Sequence, residues 1–358
     1  MINPNSELFG YICRGRVSLT RPLFFCGKTI KRDIVVFSNI WELPDLSLRK
    51  YFIRANVYLG MLLLLVAHFA QAKPPIPLGD VQHLFDLTMG AGAPLLLPSD
   101  IAIDKDNRVY VVDGGHHRIV AFSPEGKFLF AIGRRGRAPG EFMGPVGIEV
   151  DSAGQIYVAD KDNHRVQVFD RDGKYKSSFD IEGADGEPGR PIDVAVSSKS
   201  GLIFVTENSL HRIMVFDTDG TLLGGWGKQG VNKKQFRYPG TLAIRDGRLY
   251  VVDILNTVVK IFDERGQYQY QVGEWGVLPG QFYRPKGVAL DSRGWTYVTD
   301  SYMDVVEVFD NEYKFNYILA TNGKKHKFHA PAGMAVDSRD RLYVAEMLGN
   351  RVSVFKLR

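Results

Sequence analysis

Cysteine is almost missing from this chain: of 358 residues only Cys13 and Cys26 carry thiols. Everything after Cys26 therefore lacks a disulfide framework, cysteine-ligated zinc, an iron–sulfur cluster or covalently attached haem. A charge surplus is missing from most of the chain as well. The formal charge is +5, but residues 1–72 hold nine Lys/Arg against four Asp/Glu, which leaves 36 of each in the remainder. A neutral body has no broad positive footprint for nucleic acid, so nucleic acid is not an expected partner. Long apolar runs are scarce too. The longest mostly apolar stretch, 57–70, has 14 residues. As a helix it would rise about 21 Å, short of the roughly 30 Å of a hydrocarbon core. No segment after residue 72 repeats apolar residues at helical spacing.

The short apolar stretch has a defined setting. Arg49, Lys50 and Arg54 precede it, and Ala70-Gln71-Ala72 follows it as an A-x-A cleavage site. A basic region, an apolar region and a small-residue site in that order make a secretory signal peptide over 49–72. The expected address is exported, periplasmic or extracellular. Retention of residues 57–72 as an anchor is the alternative, and only then is a membrane a partner. Signal peptides stand at a chain start, so residues 1–48 read as a non-native or disordered extension, with natural translation expected to begin near Leu46 or Leu48.

The rest is repetitive. Prolines 98, 145, 191, 239, 285 and 331 stand 47, 46, 48, 46 and 46 residues apart. Each opens a unit of short strands with period-2 alternation: "GIEVD", then "IYVAD", then "RVQVF" in the second unit, followed by a less regular fourth. A Gly-rich loop such as "GRRGRAPGEFMGP" leads to the next unit. Four antiparallel strands in roughly 40–50 residues form a β-propeller blade. The expected fold is thus all-β, a six-bladed propeller over 98–358. The sixth unit ends after three strands, and "HLFDLTMG" (83–90) aligns with the fourth strand "KFLFAIGR" (127–134). Residues 73–97 are therefore expected to be a linker plus the strand that completes blade six and closes the ring.

The stretch "YVADKDNHRVQVFD", with the flanking P-x-G-[IV] and G-x-x-G-x-x-P-G-x-F elements, resembles the NHL repeat. The resemblance covers 98–358. It implies the propeller fold strongly and the function weakly, because NHL proteins include binding scaffolds, sensor domains, RNA-binding modules and a few lyases. Amidating lyases with NHL-like propellers use a histidine zinc site, and no matching histidine trio departs from the template here.

Residues repeated in every unit serve the fold. The acid ending strand two is Asp113, Asp160, Glu207, Asp253, Asp300 or Glu346. At a turn, such a carboxylate accepts backbone N–H groups. The triplet Asn163-His164-Arg165 recurs as His116-His117-Arg118, Leu210-His211-Arg212, Asn256-Thr257-Val258, Asp304-Val305-Val306 and Asn350-Arg351-Val352, the last two with a small shift. It reads as a turn device. Its histidines fall in successive blades, too far apart for one zinc ion.

Departures from the template point to function. Where other units have Ala on the channel side of strand one, unit two has Glu149, and two residues earlier on that side stand Asp100 and Asp193 in units one and three. These three could meet at the channel mouth as solvated acids, or as oxygen ligands for Ca²⁺; the calcium-dependent propeller lyases and lactonases use channel carboxylates. The loops between units differ in charge. Arg134, Arg135 and Arg137 lie in the first, Lys228, Lys233, Lys234 and Arg237 in the third, and Lys324, Lys325 and Lys327 in the fifth, while the second is acidic. Trp226 and Trp275 flank two of these loops as candidate anchors. The expectation is a non-enzymatic binding or scaffold module that holds a protein, peptide or envelope polymer on this loop face, without catalytic residues or a required cofactor. The alternative is a divalent-cation-dependent lyase or hydrolase at the channel mouth.

Overall fold

The computed structural model describes residues 76–89, 92–183 and 185–357. The expected extension and signal segment lie outside them. Six antiparallel sheets form six blades. The innermost strands are Pro98–Ile103, Pro145–Val150, Pro191–Val196, Pro239–Arg245, Pro285–Leu290 and Pro331–Val336. Each pairs with its neighbour in sequence order, out to a fourth, more exposed strand such as Tyr175–Asp180. Among the described residues there is no α-helix; Gly114–His116 and Lys161–Asn163 are single 3-10 turns.

Period-2 alternation gives every blade two apolar faces, and the cores lie between blades. Ala102, Tyr110, Val112 and Ile119 of blade one pack on Ile148, Ile156, Val158 and Phe169 of blade two. The same scheme joins blade six to blade one through Tyr343, Val352 and Val354 against Ile101, Val109 and Val120. The ring closes as the sequence implies: Gln82–Leu87 pairs antiparallel with Arg351–Lys356 as the fourth strand of blade six.

One element departs from expectation. The segment read as a linker contains a further strand, Leu78–Asp80, which runs parallel to Phe315–Thr321 on the outer edge of blade five. Three residues carry no readable alternation, so its pairing is a tertiary choice. Gly79 permits it, since a Cβ there would meet the Tyr317 ring at 2.0 Å.

The connecting loops are pegged into this frame. Three residues before the opening prolines, Leu95, Phe142, Phe236, Phe282 and Phe328 are fully buried. A glycine makes room for three of these rings: at Gly133, Gly227 and Gly273 a Cβ would meet Phe142, Phe236 and Phe282 at 2.4, 2.8 and 2.1 Å. The loop consensus therefore fixes the backbone and leaves the intervening side chains free to vary.

Candidate recognition face and axial channel

The repeated residues turn out to be fasteners. In every blade the acid ending strand two accepts the backbone N–H of the segment entering that blade: Asp113 from Leu96 at 2.7 Å, Asp160 from Met143 at 2.7 Å, Glu207 from Arg190 at 3.1 Å. Asp253, Asp300 and Glu346 do the same with Arg237, Tyr283 and His329. Arg118, Arg165 and Arg351 balance three of these buried carboxylates from strand three.

The triplet's central residue is a latch between blades. His117, His164 and His211 all adopt the left-handed conformation, with φ of 54, 60 and 55°. From there the Nδ1 atoms of His117 and His211 accept the N–H of Gly144 and of Tyr238, each at 3.0 Å and each in the following blade's entrance. Nδ1 of His164 instead pairs with the Gly189 carbonyl at 2.7 Å. His164 must therefore carry its proton on Nδ1, whereas His117 and His211 keep that nitrogen free as acceptor. In the last two blades the left-handed residues are Asp304 and Asn350, which accept from Ala330 and Leu97. The alignment of those two triplets is corrected by one residue: Met303-Asp304-Val305 and Gly349-Asn350-Arg351.

The axial channel, about 230 Å³, is lined by the inner strands from Asp100 and Glu149 down to Arg245. Asp100 and Asp193 do converge, and they meet over blade two. Asp100 Oδ2 accepts the Ile148 N–H at 3.0 Å. Asp193 Oδ1 lies 2.1 Å from where a Cβ of Gly147 would be. Its Oδ2 takes the Leu242 N–H at 2.7 Å, which ties blade three to blade four. Ser99, Thr241 and Thr299 fasten three junctions near this level by donating to carbonyls of the next blade. Glu149 sits two residues along from Gly147, with Oε1 on its neighbour's N–H at 2.8 Å.

The two aspartates of this layer are withdrawn from water, whereas Glu149 is half-buried and lines the channel. Asp100 is 6% exposed and Asp193 2%. Burial pushes the Asp100 carboxyl up to about 7, although backbone N–H groups and the hydrogen-bonded Asp193 side chain oppose the rise. Burial, reinforced by the Asp100 charge, pushes Asp193 well above the carboxylate range. Burial and the charges of Asp100 and Asp151 push Glu149 up to about 8. The buried, hydrogen-bonded pair Asp100–Asp193 holds protons in common. The aspartate oxygens serve backbone donors, as does one oxygen of Glu149. Among the described residues no group of three His, Cys, Asp or Glu is placed to hold a metal ion.

The loop-face residues fare differently. Arg134, Arg135 and Arg137 are exposed; Arg134 pairs with Glu141, and Arg137 lines a cleft of about 250 Å³ with Asp162, His164 and Asp180. Lys228, Lys233, Lys234 and Arg237 are exposed. Lys233 lies over the Tyr268 ring at 5.2 Å, and Lys234 reaches Gln267 at 2.9 Å. Lys324–Lys325 forms a two-residue strand at a hairpin tip, with Lys327 exposed beside it. Trp275 is 71% exposed, but Trp226 is not a surface anchor. It packs between Phe204 and Phe262 at 6.1 and 5.8 Å and covers Gly266, so it belongs to the junction of blades three and four.

Two features escaped the sequence reading. In blade five, Glu307 occupies the strand-three position that holds Gln167 in blade two and Lys260 in blade four. It is buried, pushed up to about 8 chiefly by that burial, and has one oxygen on the Gly280 N–H. The other is a row of exposed apolar side chains on the turns after strand two: Leu255, Tyr302 and Leu348. Both are departures from the repeat, visible once the register is known.

With the geometry in place, comparison with known proteins is informative about fold. A family profile described as a 6-bladed beta-propeller matches residues 98–177 and 232–322. No curated protein matches the sequence. A gluconolactonase from Xanthomonas campestris is similar in structure, with a TM-score of 0.56 at 16% identity over 80% of this chain and 98% of that one. A streptogramin B lyase gives 0.55 at 13% identity, covering 76% and 97%. A virginiamycin B lyase from Staphylococcus aureus gives 0.52 at 13% identity, covering 76% and 99%. Identities this low establish a shared architecture and leave the chemistry open. The chain is a six-bladed β-propeller, similar in fold to lyase and lactonase propellers.

Proposed function

We propose that this chain is an exported, non-enzymatic recognition module that holds a protein, peptide or envelope polymer on the face carrying the loops between blades. One observation carries the reading: the loops are pegged at buried apolar residues and fastened by the strand-two acids, yet present exposed cations from three alternate junctions. A fixed backbone with variable tips is how rigid scaffolds present binding groups at low entropic cost. The basic-apolar-cleavage order of residues 49–72 supports export, and the NHL-like repeat is compatible with a scaffold role.

The axial carboxyls are the feature that would support a cation-dependent lyase or hydrolase. Their commitment to backbone donors argues against it. A melting temperature unmoved by millimolar Ca²⁺ is the expected result; a marked rise would favour the enzymatic alternative. The recognition reading is tested by capture from native envelope extract. Reversal of Arg134, Arg135, Arg137, Lys233, Lys234, Lys324, Lys325 and Lys327 to Glu should abolish it. Unchanged capture by that variant would overturn the reading.

A further inference from the structure

The loop face is divided. Two residues after the strand-two acid stand Gly115, Asp162 and Ser209 in blades one to three, and Leu255, Tyr302 and Leu348 in blades four to six. The latter are 48%, 60% and 72% exposed. Each of these three turns lies against a basic residue of the segment entering its blade. The Leu255 N–H donates to the Arg237 carbonyl at 3.0 Å, and the Ser301 N–H to that of Arg284 at 3.0 Å. The Leu348 N–H donates to that of His329 at 3.2 Å. Tyr302 also stacks on Tyr283, with ring centroids 4.1 Å apart. In each of blades four to six the turn carrying the exposed apolar residue is thus joined through its backbone to an Arg or His of the entering segment, His329 also pairing with the buried Glu346.

The exposed charge on this half is predominantly positive. Arg237, Arg284, Lys286, Lys324, Lys325 and Lys327 make no ion pair among the described residues. Most acids at the same level are withdrawn: Asp253, Asp300 and Glu346 are buried on backbone N–H groups and Asp304 accepts from Ala330, while Glu274, exposed in the loop between blades four and five, accepts from Gln281. The acidic loop, with Asp180, Glu182, Asp185 and Glu187, belongs to the opposite half.

We infer that the crescent over blades four to six docks an acidic segment of a partner protein, with apolar side chains of that segment set on Leu255, Tyr302 and Leu348 and its carboxylates facing the flanking cations. This deepens the loop-face reading and rests on it. Complementary charge sets the approach and orientation, and burial of the apolar side chains supplies most of the affinity. The three-fold repetition of the apolar–basic pair favours an extended segment over a compact anion, which would need cations alone.

The test uses a labelled synthetic peptide of roughly twelve residues, Asp/Glu alternating with Leu/Phe, followed by fluorescence anisotropy. It should bind about tenfold more tightly than a peptide with Ser in place of the apolar residues, or one with Lys in place of the acids. The double variant Tyr302→Ser, Leu348→Ser should weaken binding about tenfold, with an unchanged melting curve because both side chains are exposed. Lys127→Glu with Lys174→Glu, exposed on the turns before the fourth strands of blades one and two, should leave it unaltered. In the wild type, hydrogen exchange should slow at 253–258, 300–305 and 346–351 when peptide is added. Equal binding of the control peptides, indifference to the double variant, or binding to phosphatidylserine vesicles but to no peptide would each overturn the inference. If the inference fails while capture from envelope extract still requires the loop cations, the broader recognition reading survives it.

Discussion

At the scale of single residues, the channel layer depends on Gly147. A Cβ there would sit 2.1 Å from Asp193 Oδ1 and 2.6 Å from both Asp193 Cα and the Ile192 carbonyl. Gly147→Ala should therefore cost about 2 kcal/mol or more. Because backbone atoms are in the way, adding Asp193→Ala should not restore stability; full recovery in denaturant melts would contradict this geometry. The acids set a pH dependence. Folded Glu149 and Glu307 hold protons up to about 8, whereas the ordinary value is 4.5. The folded state then binds more protons than the unfolded state across that window, and stability falls as pH rises through it. The melting temperature should decline between about pH 5 and pH 8, and Glu149→Gln should flatten part of the decline. A flat wild-type profile would remove the protonated cluster. Thr257 is the misfit among the left-handed latches: it is β-branched at φ 56°, and its hydroxyl bonds only to the preceding carbonyl at 2.7 Å. Thr257→Asn should raise stability by about 1 kcal/mol, as Asn tolerates that conformation. An unchanged or lower melting point would show that the hydroxyl contact outweighs the strain.

At the scale of elements, strands and their order were legible because alternation, the opening prolines and the D-x-x-G turns recur six times. Repetition corrects local ambiguity. The closing strand at Gln82–Leu87 could be read because it copies a fourth strand found elsewhere in the chain. The strand at Leu78–Asp80 has no such copy and was missed. Trp226 was misjudged for a related reason: a tryptophan beside a variable loop looks exposed until the neighbouring blade, with Phe262, is placed against it. The convergence of Asp100 with Asp193 follows from strand parity, but their removal from water depends on how closely Gly147 and Gly333 let adjacent strands approach. The two N-terminal strands should also differ in consequence. A chain beginning at Gln82 loses only the parallel strand on blade five and should melt somewhat lower as a monomer. One beginning at Leu95 exposes the Arg351–Lys356 edge and should associate. Equal melting and light scattering of the two would contradict the closure described here.

At the scale of the whole molecule, the proposed recognition lies on the face and the fastening between blades lies near the axis. The formal charge of +5 misleads, because the surplus lies in residues 1–72. What matters is where the balanced charges of the body are exposed: cations and apolar turns over blades four to six, and mixed charge over blades one to three. This partition was only half visible in the sequence. The loop cations stood out, but the apolar row needed the register of the strand-two turns. The most direct test is hydrogen exchange on the complex recovered from native envelope, compared with the free protein. Slower exchange at 228–238, 253–258, 300–305, 323–330 and 346–351, with inner strands 98–103, 145–150 and 191–196 unchanged, is the predicted result. Protection confined to those inner strands would place recognition in the channel and contradict the account.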